Sequence, residues 1–271
     1  MITLLFWNIA KNALCIEHLA CLAGTYDVDI FILAECPENV NLDDLNAIEK
    51  GSYQQELNAS AKVQAITRLD SHAFIHRYTS LGREMAGWSI LVPNTGLEIL
   101  IAGVHLMSKF GGTTESSQAL VASEIIAELN EVEDRQKHRN TVMIGDFNMQ
   151  PYDSGMTNPI GMHGLMTQKL AERPDRVHRR KLRRSFYNPM WGLFGDRTDG
   201  PPGSHYWHSS VLDNTHWGIL DQVLLRPMLS EYLKKVIIVD NDGQHSLLAD
   251  SGVPSIEHLS DHLPVLTVLS V

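Results

Sequence analysis

Cysteine is scarce in this chain: three in 271 residues, Cys15, Cys21 and Cys36, with no CxxC pair. So sparse and odd a count excludes a disulfide framework and predicts a reducing, cytoplasmic setting. No apolar run approaches the roughly 20 residues that span a bilayer, so no membrane insertion is expected. The amino terminus, Met1-Ile2-Thr3-Leu4-Leu5-Phe6-Trp7-Asn8, has neither a basic segment nor a small-residue cleavage site, and reads as a strand rather than a signal peptide. Internal repeats, low-complexity tracts and clear linkers are also lacking, and one domain over residues 1–271 is expected. Positive charge is outweighed: 22 Lys and Arg against 32 Asp and Glu leave a formal charge of −10. That disfavours a protein that coats nucleic acid non-specifically. It leaves room for an enzyme on phosphate esters, because a cation held among carboxylates inverts the local field.

What is present is a globular composition, 44% hydrophobic and 20% charged. Apolar runs predict strands over residues 2–9 and 28–34, the first ending near Asn8 and the second delivering Glu35. Between them, Leu14, His18, Leu19 and Leu22 stand near helical spacing and Gly24 is a stop, so a helix is expected over 12–26. Strand, helix, strand in so short a span points to α/β layering. A short helix is expected over 41–50, capped by Asn41. Residues 62–69, 73–79 and 88–93 read as successive antiparallel strands, and 96–106 as another ending at His105. The longest helix is expected over 113–136, with Leu120, Val121, Ile125, Ile126 and Leu129 on its apolar side. Residues 151–217 show little periodicity and much Gly, Pro, Trp, Tyr and His, the mark of a functional or mobile loop region. Strands over 217–226, 234–240 and 262–269 complete the chain.

The stretch Thr141-Val142-Met143-Ile144 runs directly into Gly145-Asp146-Phe147-Asn148. It reads as a buried strand that presents a carboxylate and an amide, two residues apart and so on one face, at its carboxyl end. Polar residues recur at the ends of the other apolar runs: Asn8, Glu35, His105, Asp221, Asp261 and His262. Several carboxylates in such places are untenable unless a cation or hydrogen bonds hold them. The oxygen donors Asn8, Glu35 and Asp261 point to a hard cation, Mg²⁺ or Mn²⁺, rather than zinc.

Trp7-Asn8-Ile9, Leu33-Ala34-Glu35, Val104-His105-Leu106, Gly145-Asp146-Phe147-Asn148, Leu220-Asp221-Gln222-Val223 and Ser260-Asp261-His262-Leu263-Pro264 follow one another in an order that resembles the endonuclease/exonuclease/phosphatase (DNase I-like) superfamily. The resemblance implies a four-layered α/β sandwich, two packed mixed β-sheets flanked by helices. It implies hydrolysis of a phosphate ester by metal-activated water. Asn8 and Glu35 would hold the metal with Asp261 near it. Asp146 would orient or deprotonate water, Asn148 would hold the phosphate, and His262 paired with Asp221 would steady the phosphoryl oxygen or act as acid/base. His105 matches a histidine that many members place beside the leaving group. The chain departs from the apurinic endonucleases at Ala10, where they carry an aspartate, which implies a smaller metal shell. Tyr187-Asn188-Pro189-Met190-Trp191 with Gly203-Ser204-His205-Tyr206 resembles a segment of uncharacterised bacterial members.

Further candidates follow from charge and aromaticity. Arg173, Arg176, Arg179, Arg180, Lys181, Arg183 and Arg184 form a basic run that reads either as a solvated face or as a grip on phosphates. Arg180 and Arg184, with Tyr187, Asn188, Trp191, His205 and Tyr206, are therefore candidate substrate contacts beside Asn148. His258 and His262 stand four apart, but Pro264 and the alternation after it favour turn and strand over a zinc-binding helix. His205, His208 and His216 read as a histidine-rich loop at a substrate mouth rather than a second metal site. The expected activity is a metal-dependent phosphodiesterase on nucleic acid. The alternatives are hydrolysis of a small phosphate ester (an inositol phosphate, phospholipid headgroup or nucleotide) and a non-catalytic scaffold. No obligate protein partner is inferable.

Overall fold

In a computed structural model that describes residues 1–37, 40–48, 51–56, 62–78, 84–109, 113–173, 175–208 and 215–271, strand side chains alternate between two apolar surroundings, and that alternation sets the layers. The strands in chain order are β1 (Ile2–Asn8), β2 (Ile30–Ala34), β3 (Gln54–Gln55), β4 (Val63–Thr67), β5 (Phe74–Tyr78), β6 (Met85–Leu91), β7 (Glu98–His105), β8 (Thr141–Asp146), β9 (Gly164–Leu165), β10 (Arg176–His178), β11 (Lys181–Arg183), β12 (Phe186–Tyr187), β13 (His205–Tyr206), β14 (Trp217–Gly218), β15 (Asp221–Leu225), β16 (Leu233–Ile238) and β17 (Val265–Leu269). The helices that matter here are α1 (Leu14–Glu17), α2 (Leu19–Tyr26), α3 (Asp43–Asn46) and α4 (Glu115–Gln136).

One sheet has the order β16-β17-β1-β2-β4-β3 and the other β5-β6-β7-β8-β15-β12-β9. Both are mixed: β1 runs parallel to β2 and antiparallel to β17, while β7 runs parallel to β8 and β8 antiparallel to β15. Ile99, Ile101, Val142, Ile144, Val223 and Leu225 join the core between the sheets. Their neighbours Leu100, Ala102, Val104, Met143 and Leu224 turn outward onto Ala122, Ile125, Ile126, Leu129 and Val132. This two-residue period is the pleat of a strand covered on both faces. Helix α2 covers the first sheet through Leu19, Leu22 and Ala23. The architecture is the expected one: two packed mixed sheets with helices outside.

Several local expectations need correction. Strand β4 belongs to the first sheet, so it is not successive with β5 and β6 in the second. The helix expected over 12–26 is two helices that meet at His18, whose backbone caps both. Leu120 is 59% exposed, because the buried stripe of α4 runs through Gln118, Ala122, Ile125, Ile126, Leu129, Val132 and Glu133. The 151–217 stretch is not all loop: β9 and β12 finish the second sheet. Residues 49–50 and 79, the ends of two expected elements, lie outside the described residues.

The end of the sandwich away from Asp146 is fastened by charge. Buried Arg226 meets buried Glu133 through Nε–Oε1 at 2.8 Å, Arg184 reaches the same carboxylate at 3.0 Å, and the Arg226 guanidinium lies 3.9 Å over the Phe186 ring. Glu133→Ala, which leaves the buried Arg226 guanidinium without its carboxylate, should cost about 3–5 kcal/mol, measured as a shift of the urea midpoint. A loss under about 1 kcal/mol would show that the cluster does not hold this end together.

Candidate active site

Register brings the site together. His105 stands opposite Asp146 across β7 and β8, and Asp146 stands opposite Asp221 across β8 and β15. All three share the parity of the residues that face between the sheets, so they lie in one row at an open end of the sandwich. In the facing sheet Asn8 pairs with Ala34, which puts Glu35 just beyond the same edge. Strand β1 packs across β8 and β15, closing the two rows on each other. Gly145 is needed for this: with φ at +158°, a Cβ there would lie 2.0 Å from the Val104 carbonyl oxygen.

The focus is one oxygen, Asp146 Oδ2. Asn8 Nδ2 donates to it at 3.0 Å and Asn148 Nδ2 at 3.1 Å. His105 Nε2 lies 3.8 Å away and His262 Nε2 4.0 Å. The other oxygen accepts the Asn148 backbone N–H at 2.8 Å, with Asn148 at φ +50°. Burial pushes the Asp146 carboxyl up to about 7, against the pull of the nearby His262 imidazole. His262 Nδ1 sits 2.8 Å from Asp221 Oδ2. Burial works against the His262 cation, but Asp221, with Asp146 and Asp261 behind it, outweighs burial and raises its pKa to about 10. Burial draws His105 down, opposed by Glu35, whose Oε1 is 3.7 Å from His105 Nε2.

Supporting residues fix these groups. Ser260 Oγ donates to the Asn8 carbonyl at 2.7 Å and accepts the His262 N–H at 3.1 Å. Trp7 Nε1 donates to the His262 carbonyl at 2.9 Å, and the Asp221 N–H donates to Ser204 Oγ at 3.0 Å. Gln118 reaches from α4 to the carbonyls of Met107 and Asn148. None of these was singled out as functional from the sequence. Ser260 could have been, since it stands directly before Asp261-His262; Ser204 and Gln118 give no local sign.

Of the expected residues, Asn8, Glu35, His105, Asp146, Asn148, Asp221, Asp261 and His262 converge at this edge. Asp261 sits on its His205 side, with Nε2 of His205 3.3 Å from its carboxylate. Burial would raise the Asp261 carboxyl, but His205 and His262 hold it at about 2, and a His205 pushed toward neutral by burial still donates its N–H. The His205 ring lies 4.5 Å from that of His262, nearer the centre than a rim residue. Tyr206 stacks on His216 at 5.7 Å and 19°, beside Trp217 and His208.

The other expected substrate contacts are engaged within the fold or on its surface. Arg184 is bound to Asn130, Glu133 and Asp134 on α4, 12–16 residues and roughly 18–24 Å along the helix from the Gln118 that touches Asn148. It is a structural cation. Arg180 is exposed at the turn between β10 and β11, in the hairpin that leads into Arg184. Tyr187 pairs with Leu225, four residues and about 13 Å along β15 from Asp221. Asn188 is buried, donating to Gln222 Oε1 at 2.9 Å and capping a short turn through the Met190 N–H. Trp191 packs with Tyr152 and Phe194.

No family model and no curated protein matches this sequence. Solved structures do. An AP endonuclease from Archaeoglobus fulgidus aligns over all of both chains with a TM-score of 0.61 at 14% identity. An endonuclease/exonuclease/phosphatase family protein from Leptotrichia buccalis gives 0.61 at 13% over all of both chains. A mannosyl-6-phosphatase from Bacteroides thetaiotaomicron gives 0.58 at 13% over 99% of each chain. The molecule has the fold of the DNase I-like proteins. It spans those structures essentially end to end.

In the metal-free protein the His262 cation should persist to about pH 10. Folding raises this pKa above its ordinary value of about 6.5, so the stabilisation from the Asp221 pair is full below that pH and is lost as pH climbs through the raised value. Imidazole ¹⁵N NMR in EDTA checks it, with Asp221→Asn expected to bring the pKa down. A His262 ring already neutral at pH 8 would refute the pairing.

Proposed function

We propose that the chain is a divalent-metal-dependent hydrolase of phosphate esters, acting first on phosphodiesters of nucleic acid. The observation that carries this reading is the Asp146 oxygen ringed by two amide donors and two imidazole nitrogens, with Glu35 and the Asp221–His262 pair around it. The donor set fits a metal: Asn8, Glu35 and Asp146 offer oxygens, and an Asp146 carboxyl forced upward by burial gains from a cation. Asn8 and Glu35 would hold Mg²⁺ or Mn²⁺, with Asp261 nearby. Bound there, the ion would neutralise phosphate charge and acidify water.

The chain's own groups do the rest. Asp221 fixes His262 with its Nδ1 proton inward, leaving Nε2 toward Asp146. The imidazolium then faces a phosphoryl oxygen where negative charge grows. Asp146, oriented by the Asn8 and Asn148 amides, takes the proton of the attacking water. Asn148, by releasing the Leu106 carbonyl that its amide bonds at 3.0 Å, would hold a non-bridging oxygen. His105, kept neutral by burial, stands beside the leaving group. Asp261 holds His205 against the face of His262.

The nucleic-acid reading is favoured by a cavity of about 250 Å³ beside Asn148, with Trp207 and Lys109 on its wall. An aromatic ring next to a phosphate site suits an unpaired base. The second reading, a small soluble phosphate ester, is favoured by the position of Arg180 and Arg184 away from the cleft and by the net charge of −10. One protein of the same fold is a mannosyl-6-phosphatase.

Hydrolysis of bis-(p-nitrophenyl) phosphate should stop in EDTA, return with Mg²⁺ or Mn²⁺, and fall about a hundredfold or more in Asp146→Asn. Activity that survives both EDTA and Asp146→Ala defeats the mechanism. Labelled single-stranded and duplex DNA against a panel of soluble monoesters separates the two substrates.

A further inference from the structure

The largest cavity among those described, about 720 Å³, opens between the α1–α2 region and residues 245–259, and His18 and His245 line it. Behind them sits Asp242, which the sequence reading did not single out. The spacing is suggestive once seen: His18-x-x-Cys21 on one side, Asp242-x-x-His245 on the other.

Asp242 is fully buried and its carboxylate is aimed by its own turn. Oδ1 accepts the N–H groups of Gln244 at 2.7 Å and His245 at 2.6 Å. Oδ2 faces His18 Nδ1 at 2.7 Å and His245 Nδ1 at 3.3 Å. The two imidazole side chains remain 20% and 63% exposed, and the three ligand atoms lie within 4.8 Å of one another. The fastening of this turn does not require both rings. Thr25 Oγ1 already donates to the Asp242 carbonyl and Tyr26 Oη to the Asn241 carbonyl. His245 therefore adds a donor at a cavity edge without adding structure that the turn lacks.

Three atoms around a tetrahedral ion at about 2.0–2.1 Å stand roughly 3.3 Å apart. The His245–Asp242 spacing has that value, and the His18–Asp242 spacing needs to open by about half an ångström. We propose that His18, Asp242 and His245 form a second cation site, apart from the cleft, that takes zinc or a similar borderline transition ion. Two imidazoles and one carboxylate suit zinc; the cleft offers the same set in His205, Asp261 and His262, so the test separates the two places. Three protein ligands beside a cavity leave a fourth position open to water, a solute or Cys21, one helical turn beyond His18. Occupancy would clip α2 to the segment that runs on to Asp261 and His262.

The test is calorimetric titration of the chelator-stripped protein with Zn²⁺ in excess Mg²⁺. One tight Zn²⁺ per chain is expected, with the same affinity in a His205→Gln variant and at least about tenfold weaker affinity in His245→Ala. His245 is exposed, so the metal-free melting temperature of His245→Ala should match that of the parent while the zinc-induced rise disappears. Zinc binding unchanged in His245→Ala, or lost in His205→Gln alone, would overturn the site. If His18→Ala does not fold, His245→Ala and His245→Gln decide the matter.

Discussion

A buried carboxylate with no fixed surroundings is among the least tolerable groups in a protein interior. Asp146 is such a group, and the molecule is arranged to satisfy it. Strand register across β7, β8 and β15 lines up a histidine, the carboxylate and a second carboxylate. The packing of β1 against them brings the Asn8 amide from the other sheet. A slip of one residue in any of these pairings would turn its polar member outward toward α4 and leave the row incomplete. Site and core thus rest on the same pleat, and the burial that makes Asp146 hard to keep ionised also raises its affinity for a proton.

The two ends of the sandwich solve the same problem differently. At one end carboxylates meet amides and imidazoles and stay open to solvent and solute. At the other, Glu133 meets Arg226 and Arg184 and closes. The basic run therefore has two natures: Arg184 is spent inside the closed end, while Arg176, Arg179, Arg180 and Lys181 of the hairpin stay in solvent. Charge counted along the chain could not separate them, because the partner of Arg184 lies some fifty residues earlier on α4.

What could be read from residues alone was what is written locally. Apolar runs that stop at polar residues gave β1, β2, β7, β8 and β15 and the side chains they deliver, and an order of short motifs indicated the sandwich. Sheet membership was not legible, because β4 and β5 look alike until the chain chooses between two sheets. Leu120 misled because one apolar residue off the stripe does not disturb a helix of twenty-two residues. Asn188 and Tyr187 misled for a different reason. Polar and aromatic residues in an irregular stretch resemble a binding rim, yet Asn188 satisfies Gln222 and a turn inside the fold. His205 erred in the opposite direction, standing against His262 instead of at the margin. The His18, Asp242 and His245 cluster was invisible because its halves lie 224 positions apart.

The pairing of β1 with β17 carries a consequence for how the molecule is made. β1 sits inside its sheet with β2 on one side and β17 on the other, and the Asn8 and His262 it helps unite are contributed by opposite ends of the chain. During synthesis the nascent segment with Asn8 must wait for Ser260, 252 positions later, before the hydroxyl that fixes its carbonyl exists. Contacts of such long sequence separation form slowly. The row around Asp146 is therefore completed only when the segment with Ser260 and His262 docks beside β1.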